Sequence, residues 1–348
     1  CIRDSVNMVV SIFLIYIGAG VLIVKAVATG VYMLRLVLVK IYAKRKYPEL
    51  DFHAEPKDSA LKQKNAALLH QVVGIIVNNT DTTVLTICLG TKSLLEVSVY
   101  GVYMMVVNAV NQLMTSFSNG LTAGFGEVIA KNEEETLKKS YSSYEYMYFV
   151  IMFIVIACMG VLILPFVGVY TVNLTDVQYV RPLLGLLFTL IVLMQNVRIP
   201  GLTIICAAGH YKETRYQAIL EAVINITVSL GLVWKLGMAG VLLGTVCSYG
   251  YRSFDIVFYT SRHLVKGCAK ISLIRIVRNG IAVAFLCIVG TYVIPQNMAS
   301  FIIWFLYAIG MVAVSVFTIV GVNYVVEPDE FKELVLRVKG ILGRKKED

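Results

Sequence analysis

The stretch VVGIIVNNTDTTVLTICLG, residues Val72 to Gly90, decides how this chain is read. It is apolar at both ends and long enough to cross a bilayer core as a helix. Its middle nevertheless holds Asn78, Asn79, Thr80, Asp81, Thr82 and Thr83 in an unbroken row. An ionised group at the bilayer centre costs about 2.5 kcal/mol or more on insertion scales, so such groups persist where they face a bundle interior or a watery cavity. The spacing fits that condition. Gln71, Gly74, Asn78 and Asp81 fall on one stripe of a helix, which leaves the remaining surface free to meet lipid.

The rest of the chain agrees. Of its 348 residues only 15% are charged, against about 25% in a soluble domain, too few to cover a water-facing surface. Hydrophobic residues make up 58% and mean hydropathy is +0.75, because apolar runs of membrane-spanning length recur from end to end. The short alternating segments of a transmembrane barrel are missing. The fold class expected is therefore all-α, a polytopic membrane protein with about ten transmembrane helices. These are placed at 5–23, 27–44, 66–89, 96–120, 145–169, 182–208, 215–234, 237–259, 279–295 and 299–325. Residues 47–64, with Pro48 and Pro56, read as a linker, and 327–348 as an amphipathic tail with a basic end.

Orientation follows from Lys and Arg, which concentrate in short cytoplasmic loops. Lys40, Lys44, Arg45, Lys46, Lys57, Lys62 and Lys64 follow the second span. Lys131, Lys138 and Lys139, then Lys212 and Arg215, then Arg262, Lys266, Lys270, Arg275 and Arg278, and finally the tail, fall on the same side. The opposite side holds only Lys25, Lys92, Arg181 and Lys235. Both ends of the chain are thus expected in the cytoplasm. This distribution also accounts for the net charge of +9 without nucleic acid. The seven cysteines show no metal-binding or CxxC spacing and read as small apolar residues.

Other spans carry polar stripes too. The fourth has Asn108, Gln112, Thr115 and Asn119; the sixth has Gln195 and Arg198, directly before Pro200 and Gly201. The seventh has Gln217, Glu221 and Asn225, and the eighth Thr245, Ser248, Arg252 and Asp255. Together these stripes can line a hydrated central cavity. The alternative is that amides and hydroxyls only bond neighbouring helices, and that Arg252 and Asp255 simply pair. The Pro-Gly step is either a plain kink or the broken helix of a transporter site. Most of the 20 tyrosines fit an interfacial belt, while Tyr100 and Tyr103 offer flat faces to sugar rings.

Two longer segments are familiar. NNTDTTVLTICLG followed by LLEVSVYGVYMMVVNAVNQL resembles the seventh and eighth helices of Wzx-like polysaccharide and O-antigen flippases, members of the multidrug/oligosaccharidyl-lipid/polysaccharide superfamily. EAVINITVSLGLVWKLGMAGVLLGTVCSY, from Glu221 to Tyr249, resembles their eleventh and twelfth. The resemblance runs through nearly the whole chain, and it implies two six-helix lobes around a central cavity. On that map residues 1–46 are the last two helices of the first lobe, 65–260 the complete second lobe, and 261–326 a cytoplasmic loop and an extra helix pair. Four further helices are expected upstream, since the chain starts at Cys1 in the middle of that plan.

The resemblance further implies a flippase in the bacterial cytoplasmic membrane. It would move undecaprenyl-pyrophosphate-linked oligosaccharide to the outer leaflet by alternating access, for capsule, exopolysaccharide or O-antigen synthesis. Lipid bilayer, lipid-linked glycan, a coupling ion (H+ or Na+) and other polysaccharide-assembly membrane proteins are the implied partners. No cofactor is implied, and no chemistry on the substrate. Arg198 suits the pyrophosphate because guanidinium pairs with phosphate oxygens in a fork. Asn78, Asn108, Gln112, Gln195 and Asn225 suit sugar hydroxyls, with Arg252 beside them, and Asp81 or Glu221 can carry the coupling ion. Two rivals stand: an ion-coupled multidrug exporter of the same superfamily, and a membrane glycan polymerase or ligase, which would need a long outer catalytic loop.

Overall fold

The computed structural model describes residues 2–47, 63–118, 121–131, 133–295, 298, 300–333 and 335. The described residues are helical, with no strand among them. They fall into two compact units, Cys1–Lys62 and Gln63–Asp348. The first is a hairpin of α1 (Ile2–Tyr16) and α2 (Val21–Lys46). Its break comes at Gly18, whose φ of +76° suits glycine, several residues before the expected gap. Lys25, read from the sequence as a loop charge, therefore lies inside α2.

The larger unit holds α3 (Lys64–Cys88), α4 (Ser93–Ser118), α5 (Leu121–Ala130), α6 (Glu134–Tyr170), α7 (Pro182–Val197), α8 (Ile199–Ala207), α9 (Arg215–Leu236), α10 (Met238–His263), α11 (Ala269–Val293) and α12 (Phe301–Val326). Seven stretches among the described residues are long and apolar enough to cross a membrane: Val21–Lys46, Ser93–Ala130, Glu134–Tyr170, Pro182–Ala207, Arg215–Leu236, Ala269–Val293 and Phe301–Val326. The protein is thus an all-α, multi-pass membrane protein. α3 and α10 match these in length, but their polar stripes lower their hydropathy.

Three differences from the sequence reading have physical causes. α6 starts at Glu134, well before the expected 145, because Leu137, Tyr141 and Tyr144 bury one face of its polar-looking first turns. α11 likewise starts at Ala269 instead of 279, so Lys270, Arg275 and Arg278 are helical residues and not loop charges. α5, unexpected from the sequence, packs on α8. The linker 47–64 and the tail 327–348 lie largely outside the described residues. Of the tail, Glu327, a helical stretch over 328–333 and residue 335 are described.

Two close approaches set the frame of the site. α9 and α10 are joined by the single residue Gly237, at φ +57°. They then pack so tightly that a Cβ on Gly240 would lie 2.5 Å from the Leu232 carbonyl oxygen, and one on Gly244 would overlap the Ser229 hydroxyl. Arg198 joins α7 to α8, with Pro200 in the first turn of α8, where a missing N–H costs nothing. Gly201 then meets α10: a Cβ there would come 2.6 Å from Ile256 Cγ2. The Pro-Gly step is a kink that seats α8 against α10.

Candidate functional site

α3, α4, α7, α8, α9 and α10 bring most of the polar stripes together around two chambers. One, of about 320 Å³, is lined by His70, Gln71, Asn78, Arg198, Tyr211, Thr214, Glu221, Tyr249 and Arg252 among apolar neighbours. The other, of about 460 Å³, is lined by Asn78, Asp81, Tyr100, Asn108, Asn111, Gln195, Thr245 and Tyr249, with Met104 and Phe188. Val77, Asn78 and Tyr249 belong to both. Between the two chambers the Tyr249 hydroxyl donates to Asn78 Oδ1 at 3.1 Å.

The first chamber is a charge cluster. Arg198 Nη1 donates to Glu221 Oε1 at 2.5 Å, and its guanidinium stacks over the Tyr249 ring, 4.5 Å from the centroid. The other Glu221 oxygen lies 3.6 Å from Arg252 Nε, and Arg252 Nη1 donates to Asp255 Oδ2 at 2.5 Å. The expected Arg252–Asp255 pair therefore forms within α10, and Glu221 of α9 joins it. Arg198 is not an open fork awaiting phosphate: one nitrogen is committed to Glu221, while Nε is buried without a partner.

The second chamber keeps its carboxylate among hydroxyls. Asp81 Oδ1 accepts from Thr245 at 2.7 Å and Oδ2 from Tyr100 at 3.3 Å. No described basic residue forms an ion pair with it. The two carboxylates named as coupling candidates thus differ in kind, since Glu221 serves two guanidiniums and Asp81 serves none. From the chamber wall a chain of hydrogen bonds runs into the core: Tyr148 donates to Asn196, Asn196 to Asn111, and Asn111 to Gln195, at 2.9, 3.0 and 2.9 Å.

The remaining candidates separate into two groups. Asn225 is fully buried between α9 and α10, where it donates to Thr245 and Ser248 and lines neither chamber. It braces the helix hairpin instead of meeting sugar. Tyr103 is likewise core, stacked on Phe188 at 5.1 Å with its hydroxyl donating to the Tyr179 carbonyl, and has no free face. By contrast Asn78, Asn108 and Gln112 are exposed, as are Gln71, Asn79 and Thr115. Asn108 lines the second chamber, and Gln112, one turn further along α4, lines neither. α3 and α4 therefore present an open polar face within a bundle whose other outward residues, such as Ile75, Ile87 and Leu113, are apolar.

Residues the sequence did not single out include Tyr249, His70, Thr214, Asn111 and Asn196. Tyr249 sits one position after Ser248 and so off the stripe as drawn. His70 Nε2 lies 3.0 Å from the Tyr211 carbonyl oxygen, tying α3 to the α8–α9 loop. No group of described residues could hold a metal ion.

No protein-family model matches the chain, and no curated protein matches it either.

Proposed function

We propose that this chain is part of a transporter of the Wzx-like flippase kind, moving a pyrophosphate-linked, lipid-anchored oligosaccharide across the bacterial cytoplasmic membrane by alternating access. One observation carries the reading: an open polar face of amides and hydroxyls on α3 and α4, continuous with a chamber containing Arg198 and Arg252. In a bilayer such a face needs water or polar solute, because hydrocarbon satisfies none of its donors. Sugar hydroxyls match amides, and a pyrophosphate matches guanidinium. The lipid tail stays in hydrocarbon, and no bond of the substrate is made or broken. The segments that begin at Asn78 and Glu221 point the same way.

Asp81 accounts for coupling. A carboxylate held only by hydroxyls can exchange a proton or bind Na+, whereas Glu221 is engaged by two arginines.

The test is translocation of a fluorescent polyprenyl-pyrophosphate oligosaccharide in vesicles reconstituted with the intact protein. Arg198→Ala should abolish transport at normal abundance, and Lys should restore it only in part, since it lacks the fork. Unchanged transport by the Ala variant would remove Arg198 from the pathway.

A second reading is favoured by the aspartate chamber. Its carboxylate, without an ion-pair partner among the described residues, stands beside Tyr100, Phe188 and Met104, a lining that suits an organic cation. Dye efflux that depends on Asp81 and ignores Arg198 would favour a multidrug exporter.

A further inference from the structure

The arginine chamber is balanced as it stands. Two guanidiniums, Arg198 and Arg252, face two carboxylates, Glu221 and Asp255. It offers an entering anion no spare positive charge, and Arg198 Nη1 is already occupied at 2.5 Å. Without Glu221 the mostly buried Arg198 guanidinium would lose its ion-pair partner, which is costly. The same bond that satisfies Arg198 therefore stands in the way of an anionic ligand.

We infer that Glu221 is an exchangeable counter-ion, occupying on Arg198 the place of a ligand's phosphate oxygen and giving it up when a phosphate-class oxyanion enters. The inference rests on the reading that Arg198 meets the phosphate of the transported lipid. Three features make the exchange physically economical. Arg198 trades one charged acceptor for another and is never left bare. Glu221 has a second holder in place, because its Oε2 already lies 3.6 Å from Arg252 Nε. Arg198 Nε, which finds no partner among the described residues, gains one when a multi-oxygen ligand arrives.

The exchange also has a mechanical consequence. Arg198 sits at the α7–α8 junction and Glu221 on α9, so the ion pair is a clasp across the chamber. Displacing Glu221 opens that clasp at the moment of loading, while Arg252 draws the carboxylate toward α10. Ligand entry is thereby tied to loosening of the bridge between the α7–α8 junction and α9.

The experiment titrates farnesyl pyrophosphate into the purified intact protein in detergent and reads affinity by calorimetry. Glu221→Gln removes the competing charge and should tighten binding about tenfold or more, since one charged hydrogen bond no longer has to be surrendered. Glu221→Asp, which keeps the charge but shortens its reach, covers the case in which the Gln variant fails to fold, and should tighten binding by a smaller factor. Equal or weaker affinity in a folded Glu221 variant, with Arg198→Ala still abolishing binding, overturns the exchange and leaves the pathway reading intact. Binding that survives Arg198→Ala overturns the pathway reading itself. Farnesyl monophosphate, run in parallel, should show the same rank order at lower affinity.

Discussion

Removing Arg275 should separate the α11–α12 pair from α6. Arg275 on α11 is 2% exposed and donates to Glu145 on α6 at 3.1 Å, to the Ser142 carbonyl and hydroxyl, and to Glu327 just past α12. Glu145 is equally buried and, among the described residues, otherwise bonds the hydroxyls of Ser272 and Tyr141. Arg275→Met keeps the volume and strands that carboxylate, whereas Glu327 retains Arg278 at 2.6 Å. Breaking a buried pair from one side typically costs about 3–5 kcal/mol, equivalent to a melting-temperature drop on the order of 10 °C.

The pair itself adds little over a neutral replacement, because its attraction is largely offset by the cost of dehydrating both charges. The double variant Arg275→Met/Glu145→Gln should therefore recover at least half of the loss, Gln still accepting from Ser272 and Tyr141. The assay is thermal unfolding of the detergent-solubilised protein, with all four members of the cycle measured alongside. A single variant that melts within about one degree of the wild type, or a double variant no better than Arg275→Met alone, would refute the reasoning.

Burial works to raise the Glu327 carboxyl, but hydrogen bonds and charge from Arg275 and Arg278 outweigh it and hold the group below its ordinary value. Its contribution is full above the unfolded value of about 4.3 and is lost as pH falls through the lower folded value. Melting should show an acid-side decline that Glu327→Gln flattens; an identical decline in both proteins would sink this assignment. For topology, a cysteine replacing Lys235 should react with an impermeant thiol reagent in intact cells, and one replacing Lys212 only after permeabilisation. The reverse pattern would invert the direction of transport proposed here. Asp81→Asn should still bind glycolipid, since it keeps an acceptor for Thr245, but translocation should slow and lose its response to an imposed ion gradient. Unchanged rate and gradient response would make Asp81 structural.

Much of the site is legible in helical spacing. The stripes Gln71–Asp81 and Thr245–Asp255 each share one face, and the close partners Asp81–Thr245 and Arg252–Asp255 come from within them. Spacing along one helix says nothing of which stripe a neighbouring helix meets. Glu221 reads as a free coupling carboxylate in sequence and is bound to Arg198 in space. Asn225 belongs to the same stripe, yet it is sealed between α9 and α10 by the contact that Gly244 permits. Hydropathy also misplaces helix ends wherever polar turns are buried by a partner. Arg275 looks like a loop charge because its partners, Glu145 and Glu327, stand far away in the chain.

On this mechanism the exposed polar face of α3 and α4 meets water inside the membrane. Asn108 and Leu113 are both exposed on α4, so cysteines at these two positions compare the polar face with an apolar one. In the intact protein with its native cysteines replaced, Asn108→Cys should react with a membrane-impermeant thiol reagent and be protected by added lipid-linked oligosaccharide, while Leu113→Cys stays unreactive. Equal silence at both positions would place lipid or protein against Asn108 and contradict the account.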